Sequence, residues 1–388
     1  MTDTTNKIGE KLVLTRDQLP QLFKALQKSG YTLIGPTIRD HAIVNQEIDN
    51  CVDLPEGYSD QQDAAAYRLS KTDKTALFDY NVATQSFKRF LFIPRHTILR
   101  AKRKKKTFEV ADNKYSPSKM AFIGVRPCEL HAIYIQDRVF TAGEFIDEQY
   151  QKQRDQIFLV VVNCTKASKS CFCTSMETGP QATTGFDLAL TEIAQPGKHF
   201  FVLEIGSEQA RTILSGIKCK PASQSDIDAA DAAVASAAAQ IERTLDTTGI
   251  KELFLRNIDN VYWDKVGGRC MSCANCTLVC PTCFCSTVED VTDLSGDNAE
   301  RARRWDSCFT MDFSYIHGGS VRPSSKARYR QWITHKLAAW QDQFGSSGCV
   351  GCGRCITWCP VGIDITEEAR TIRERDIKPA TVTEKTEV

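Results

Sequence analysis

Two stretches in the last third of the chain space their cysteines identically: Cys270-Met-Ser-Cys273-Ala-Asn-Cys276-Thr-Leu-Val-Cys280-Pro281 and Cys349-Val-Gly-Cys352-Gly-Arg-Cys355-Ile-Thr-Trp-Cys359-Pro360. Each reads C-x2-C-x2-C-x3-C-P, a spacing that holds [4Fe–4S] cubes through thiolates. Three thiolates on a tight loop each cap one iron, and the fourth cysteine is expected on the first turn of a helix. Zinc sites use paired C-x2-C knuckles separated by a dozen or more residues, so thiolates packed this closely favour iron–sulfur over zinc. The chemistry implied is electron transfer.

In bacterial ferredoxins with two such motifs, the fourth cysteine of each ligates the other cube. That pattern assigns Cys270, Cys273, Cys276 and Cys359 to one cluster and Cys349, Cys352, Cys355 and Cys280 to the other. Here 68 residues, 281 to 348, separate the motifs, where a small ferredoxin uses a short linker. Ligation within each motif therefore stays open beside the crossed pairing, and each motif supplies four thiolates under either.

These motifs account for eight of 17 cysteines. Cys51 and Cys219 stand alone and read as small buried hydrophobes. Cys128 follows one predicted strand in Arg126-Pro-Cys-Glu-Leu-His131, Cys164 follows another, and Cys171-Phe-Cys173 supplies a pair. Soft thiolates converging in a reducing compartment select iron–sulfur or zinc, so Cys128, Cys164, Cys171 and Cys173 are candidates for a third cluster. The plainer reading makes them buried thiols shielding the first two cubes. Cys283, Cys285 and Cys308 are left either as hydrogen-bonding neighbours of the cubes or as replacements for one of the ligands above. His131 and Arg126 are placed to tune a cluster electrostatically, or are an ordinary core histidine and a salt-bridged arginine. No acid/base pair or nucleophile converges anywhere, so no catalytic residue is assigned.

The elements that must position these residues follow from patterning. Thr15 to Lys28 has Leu19, Leu22, Phe23 and Leu26 at helical spacing, with Thr15 as N-cap and Gly30 as stop. Runs 121–125, 158–162 and 200–205 are short, apolar and β-rich, as buried strands are. An Ala-rich stretch over 227–243 is a strong helix former, and a second helical pattern runs from Lys251 to Val266 and ends at Gly267-Gly268. The expected architecture is a mixed α/β (α+β) N-terminal domain over 1–250 and an α-helical, bacterial-ferredoxin-like two-cluster [4Fe–4S] domain over 251–388 with an insertion at 281–348.

With 388 residues, 42% of them hydrophobic, the chain can bury two or three cores. A net charge of +1 gives no general attraction to nucleic acid or acidic membranes. The basic runs Arg100–Lys106 and Arg301–Arg304 read as solvated loops, the first suited to docking an acidic partner. No apolar run approaches the ~20 residues of a membrane helix. No secretory signal opens the chain, so the expected compartment is the cytoplasm, without membrane span or nucleic-acid partner. No G-x-G-x-x-G or P-loop follows a predicted strand, which assigns any flavin or NAD(P) to another subunit.

Taken together, Gly124-Val-Arg-Pro-Cys-Glu-Leu-His-Ala-Ile133, Asn163-Cys164, Cys171-Phe-Cys-Thr-Ser-Met176, Thr178-Gly-Pro180, Cys280-Pro-Thr-Cys-Phe-Cys285, Trp305-Asp-Ser-Cys308 and the whole of 348–364 resemble a known family, as does Gly35-Pro-Thr-Ile-Arg39. It is the iron–sulfur beta subunit of cytosolic [NiFe] hydrogenases of the sulfhydrogenase type, which includes the corresponding iron–sulfur subunit of anaerobic sulfite reductase. The resemblance implies a subunit that turns over no substrate itself. It would relay electrons, linking a flavin/NAD(P)-binding subunit to the small and large subunits of a [NiFe] hydrogenase. Sirohaem and sulfite are the alternative destination, a self-contained iron–sulfur reductase a second, and a zinc-stabilised binding module a third.

Overall fold

The structure is a computed structural model and describes residues 7–112, 115–195 and 197–376. Its centre is an eight-stranded mixed sheet in the order Lys220–Pro221, Lys11–Thr15, Lys198–Ile205, Leu188–Gln195, Ile157–Val162, Met120–Val125, Thr32–Arg39, Ala42–Glu47. The four strands from Leu188–Gln195 to Thr32–Arg39 run parallel, and the outer pairs are antiparallel. Ile157–Val162 is buried at all six positions. Phe158, Val160 and Val162 join the apolar core on one face, while Ile157, Leu159 and Val161 join the core on the other. A strand covered on both faces must be apolar throughout, and each such side chain contributes about 1.5–3 kcal/mol on burial.

The three predicted strands are all central to this sheet. The first helix begins later than its pattern suggests: Thr15 N donates to Gln18 Oε1 at 2.9 Å over a 3-10 turn, Arg16–Gln18, and the α-helix proper is Leu19–Lys28. The Ala-rich helix is Gln224–Ala239.

Two expectations are corrected. The pattern over 251–266 is two helices, Ile250–Arg256 and Tyr262–Arg269, and Gly267-Gly268 lies inside the second instead of ending it. The break is made by asparagines: Asn257 Nδ2 turns back to Leu253 O at 2.9 Å, and Asn260 Nδ2 bonds Asn257 Oδ1 at 3.0 Å. Gly267 is needed for packing, because a Cβ there would meet Lys326 Cα at 2.8 Å.

The basic runs are not loops. Arg100–Lys104 belongs to the strand Arg95–Lys104, which turns into Thr107–Asp112, and Arg301–Arg304 lies on Asn298–Trp305. Together with Ser286–Thr292 these form a separate four-stranded antiparallel sheet, Ser286–Thr292, Asn298–Trp305, Arg95–Lys104, Thr107–Asp112. The segment expected as an insertion in an α-helical region thus supplies two long strands. The rest of the C-terminal region carries helices, the motif loops and one short hairpin, Tyr315–Ile316 with Gly319–Ser320, and its core joins Leu253, Phe254, Trp263, Trp332 and Ile333 to the flanks of the cysteine motifs.

Candidate iron–sulfur centres

The two motif loops have one backbone shape. Ser272 and Ala274 in the first, and Gly351 and Gly353 in the second, occupy equivalent positions, and all four have positive φ. The expected placement of the fourth cysteine is corrected. Cys276 and Cys355, the third of each set, lie on the short helices Asn275–Leu278 and Arg354–Thr357, and Cys280 and Cys359 follow the helix ends. Amide donors point at the sulfurs: Ser272 N to Cys270 Sγ at 3.4 Å, Gly351 N to Cys349 Sγ at 3.5 Å, Ile363 N to Cys359 Sγ at 3.3 Å.

Folding gathers the thiols across the motifs. Cys270, Cys273, Cys276 and Cys359 line one cavity together with Cys355. Cys280, Cys349 and Cys352 surround Cys355 within electrostatic reach. The surroundings differ, since Cys273 is exposed whereas Cys349 and Cys352 are buried. Burial, and then repulsion from neighbouring thiolates, pushes Cys276 and Cys355 well above the usual thiol range. Thiols so placed lose their protons when a cation sits between them, as metal binding requires.

Cys128, Cys164, Cys171 and Cys173 also come together, sharing a cavity with Cys352. The sheet explains the first two: Met120–Val125 and Ile157–Val162 are adjacent and parallel, so the residues leaving their C-terminal ends emerge at one edge, where open α/β sheets place ligand sites. Cys128 opens the helix Pro127–Thr141, and Cys164 N is held by Pro180 O at 3.0 Å. The Cys171–Cys173 loop docks on the second motif, with Phe172 N donating to Gly351 O at 2.9 Å and Thr178 Oγ1 to Val350 O at 2.6 Å. A Cβ at Gly351 would meet Cys173 Cα at 2.6 Å, so both its φ of +65° and this approach require glycine. Burial raises the Cys128 thiol strongly, and Cys352, Cys173 and Cys164 add to the effect.

The other cysteines divide. Cys51 and Cys219 pack against the sheet core, away from every group above, and burial pushes them up to about 12 and about 11. Cys283, Cys285 and Cys308 line a further cavity. Cys285 is pulled down to about 7 by its neighbour Cys308, against the cost of burial and with help from Lys336 and Lys88. Among the described residues, no group of three or more His, Cys, Asp or Glu side chains is arranged to hold a single metal ion.

Sequence reasoning missed the cations around these thiols. Lys336 Nζ, buried, stands 3.2 Å from Cys280 Sγ, and Lys88 Nζ, also buried, donates to Cys280 O and Cys283 O, each at 2.9 Å. Among the described residues neither lysine pairs with a carboxylate. Arg354 is fully buried beside Cys352 and Cys128; it pairs with Glu129 at 3.2 Å, and its Nη1 has no partner. A buried cation is costly without an anion. Thiolate-held clusters carry such net negative charge, so the residues present fit them. Arg354 was within sight, sitting inside the second motif, but nothing local marks Lys88 or Lys336. Among the described residues Arg126 has no carboxylate partner: it is buried, donates to Asn81 O and Phe78 O at 2.8 Å, and lowers Cys164 against the larger upward effect of burial. His131 stands edge-on to Tyr134, its pKa lowered by burial.

Residues 269–363 match the model of a 4Fe-4S dicluster domain. Over 309 residues the chain is 28% identical to sulfhydrogenase 2 subunit beta of Pyrococcus furiosus, a match covering 79% of this chain and 88% of that protein. No solved structure matches. No helix among the described residues is long and apolar enough to cross a membrane. The chain is an iron–sulfur protein of mixed α/β architecture with a C-terminal 4Fe-4S dicluster domain, and over most of its length it is similar to a hydrogenase beta subunit.

Proposed function

We propose that this chain is the electron-transfer subunit of a cytoplasmic hydrogenase-type complex. It relays electrons, linking a flavin/NAD(P)-binding subunit to the small and large [NiFe] subunits. Cys270, Cys273, Cys276 and Cys359 hold one [4Fe–4S] cluster, Cys280, Cys349, Cys352 and Cys355 a second in a ferredoxin-like crossed arrangement, and Cys128, Cys164, Cys171 and Cys173 a third. When bound, such a cluster accepts and returns one electron at a potential set by charge, hydrogen bonds and exposure.

The observation that carries this reading is the continuity of the three thiol groups. Cys355 borders the cavity of the first group, and Cys352 borders that of the third. Both belong to the middle group, so it touches each of its neighbours. The chain's own residues set the conditions along this row. Lys336 and Arg354 hold positive charge beside the middle thiols, and Phe309, Tyr329 and Trp332 wall the first cavity against water. Cys273 alone among these twelve is exposed, which makes its side the exchange face.

The test is anaerobic purification of the native complex through a tag on this chain, followed by identification of its partners. Co-purifying nickel-site and flavin subunits support the reading. A sirohaem subunit would redirect the relay to sulfite, and a chain that turns over alone would make it a self-contained reductase. Cys273→Ala and Cys352→Ala should each abolish physiological electron transfer while leaving the partner's dye-linked half-reaction intact.

A further inference from the structure

Three cysteines belong to none of the three groups. Cys283, Cys285 and Cys308 line one cavity with Phe284, His335 and Lys336. Strand register brings them together: Ser286 pairs with Trp305, and Asp306 N donates to Cys285 O at 2.9 Å, which sets Cys308 beside Cys285 at the base of the hairpin. The cavity measures about 300 Å³, against about 30 Å³ for the cavity of the first thiol group and about 20 Å³ for that of the third. Of these three it has the most room.

Two features mark the surroundings of this cavity. Lys88 is buried between the carbonyl oxygens of Cys280 and Cys283 with its ammonium 4.2 Å from the centre of the Trp305 ring, and Lys336 approaches from the opposite helix. Neither meets a carboxylate among the described residues: Lys336 stands against sulfur, 3.2 Å from Cys280 Sγ, whereas Lys88 is held by carbonyl oxygens and burial lowers its pKa. In addition, the helix carrying Lys336 is wound as a π-helix over His335–Ala339, a rare form that is frequent at functional sites. This winding puts His335 and Lys336, neighbours in sequence, on the wall of one cavity. His335 Nε2 lies 3.0 Å from Gln343 Oε1. A proton held there leaves Nδ1 as the ligating nitrogen, the usual arrangement of a metal-bound imidazole.

We propose that Cys283, Cys285 and Cys308 hold a further [4Fe–4S] cluster, with His335 as its fourth ligand. As a relay station this centre rests on the electron-transfer reading; as a metal site it stands on its own residues.

Diffraction from the full chain, purified anaerobically in its complex, should give anomalous signal at the iron edge in this cavity. No iron there, or zinc in its place, would overturn the proposal. Cys308→Ser should lose about four irons per chain while the paramagnetic signals of the other clusters persist; unchanged iron content would also overturn it. If Cys308→Ser does not accumulate, the wild-type diffraction decides alone. His335→Ala should alter the spectrum of this cluster only, and an unchanged spectrum would remove His335 as ligand and with it the proposal as stated. Iron in the cavity of a chain that brings down no hydrogenase partner would leave this site standing and remove the relay.

Discussion

Lys336 Nζ lies 3.2 Å from Cys280 Sγ inside the protein, its other partners being Thr282 Oγ1 at 3.1 Å and Gly348 O at 2.9 Å. Burial alone would lower the lysine's pKa, but Cys280, Cys283 and Cys349 outweigh it and raise it well above the usual value. The ammonium therefore stays charged at neutral pH, next to a thiol of the middle group.

Replacing Lys336 with Met should make that cluster harder to reduce. A unit charge about 7 Å from the added electron, at an effective dielectric of about 20, is worth about 2.4 kcal/mol, or on the order of 100 mV for one electron. Redox titration followed by electron paramagnetic resonance reads the shift directly. Lys336→Arg should retain most of the potential, and a Met variant with an unaltered potential would mean the ammonium does not tune the cluster.

Gly351 is where the second motif touches the Cys171–Cys173 loop. Gly351→Val puts a branched side chain at φ +65° and a Cβ within 2.6 Å of Phe172 and Cys173 backbone atoms. Left-handed strain alone costs about 1–3 kcal/mol. We expect a lowered unfolding midpoint and loss of iron from the second and third groups together, measured by denaturant titration and iron assay. The equivalent change Ser272→Gly, at the surface loop, should be mild.

The pair Arg354–Glu129 spans the two halves of the molecule with side-chain exposures of 0% and 3%. Arg354→Met leaves Glu129 buried with Phe87 N, at 2.8 Å, as its one remaining donor among the described residues. Breaking a buried pair from one side costs about 3–5 kcal/mol. The double variant with Glu129→Gln should cost less than the two single changes summed, and strict additivity in thermal unfolding would deny their coupling.

Stripping the iron should destabilise the C-terminal half. Lys88, Lys336 and Arg354 Nη1 would then lack the charge that balances them, while the thiols reprotonate. The expected readout is faster proteolysis around 270–285 and 349–360 in the stripped protein, with protection regained on reconstitution. Equal protection with and without iron would mean that the protein's own packing, and not the clusters, holds these loops.

How legible all this was depended on sequence distance. The eight motif cysteines needed only local spacing. Cys128 and Cys164 were legible because each follows an apolar run, and the parallel pairing of those runs turns two sequence positions into one place. The charged strand Arg95–Lys104 was not legible: its residues are mostly exposed and basic, and one of its partners, Asn298–Trp305, lies two hundred residues away. The asparagine break at 257–261 was overlooked because apolar periodicity continues on both sides of it. The buried lysines could not be found at all, since their burial comes from tertiary contacts alone.

That charged strand also has a history during synthesis. Arg95–Lys104 and its hairpin partner leave the ribosome long before Asn298–Trp305 exists to pair with the free edge. At 5–20 residues per second, the edge waits about 10–40 s. An unpaired strand edge invites pairing with other chains, and closely set positive charges are the usual defence. Arg100, Lys102, Arg103, Lys104, Lys105 and Lys106 supply that defence in sequence. Charge placed this way disfavours edge-to-edge pairing for as long as the sheet is unfinished.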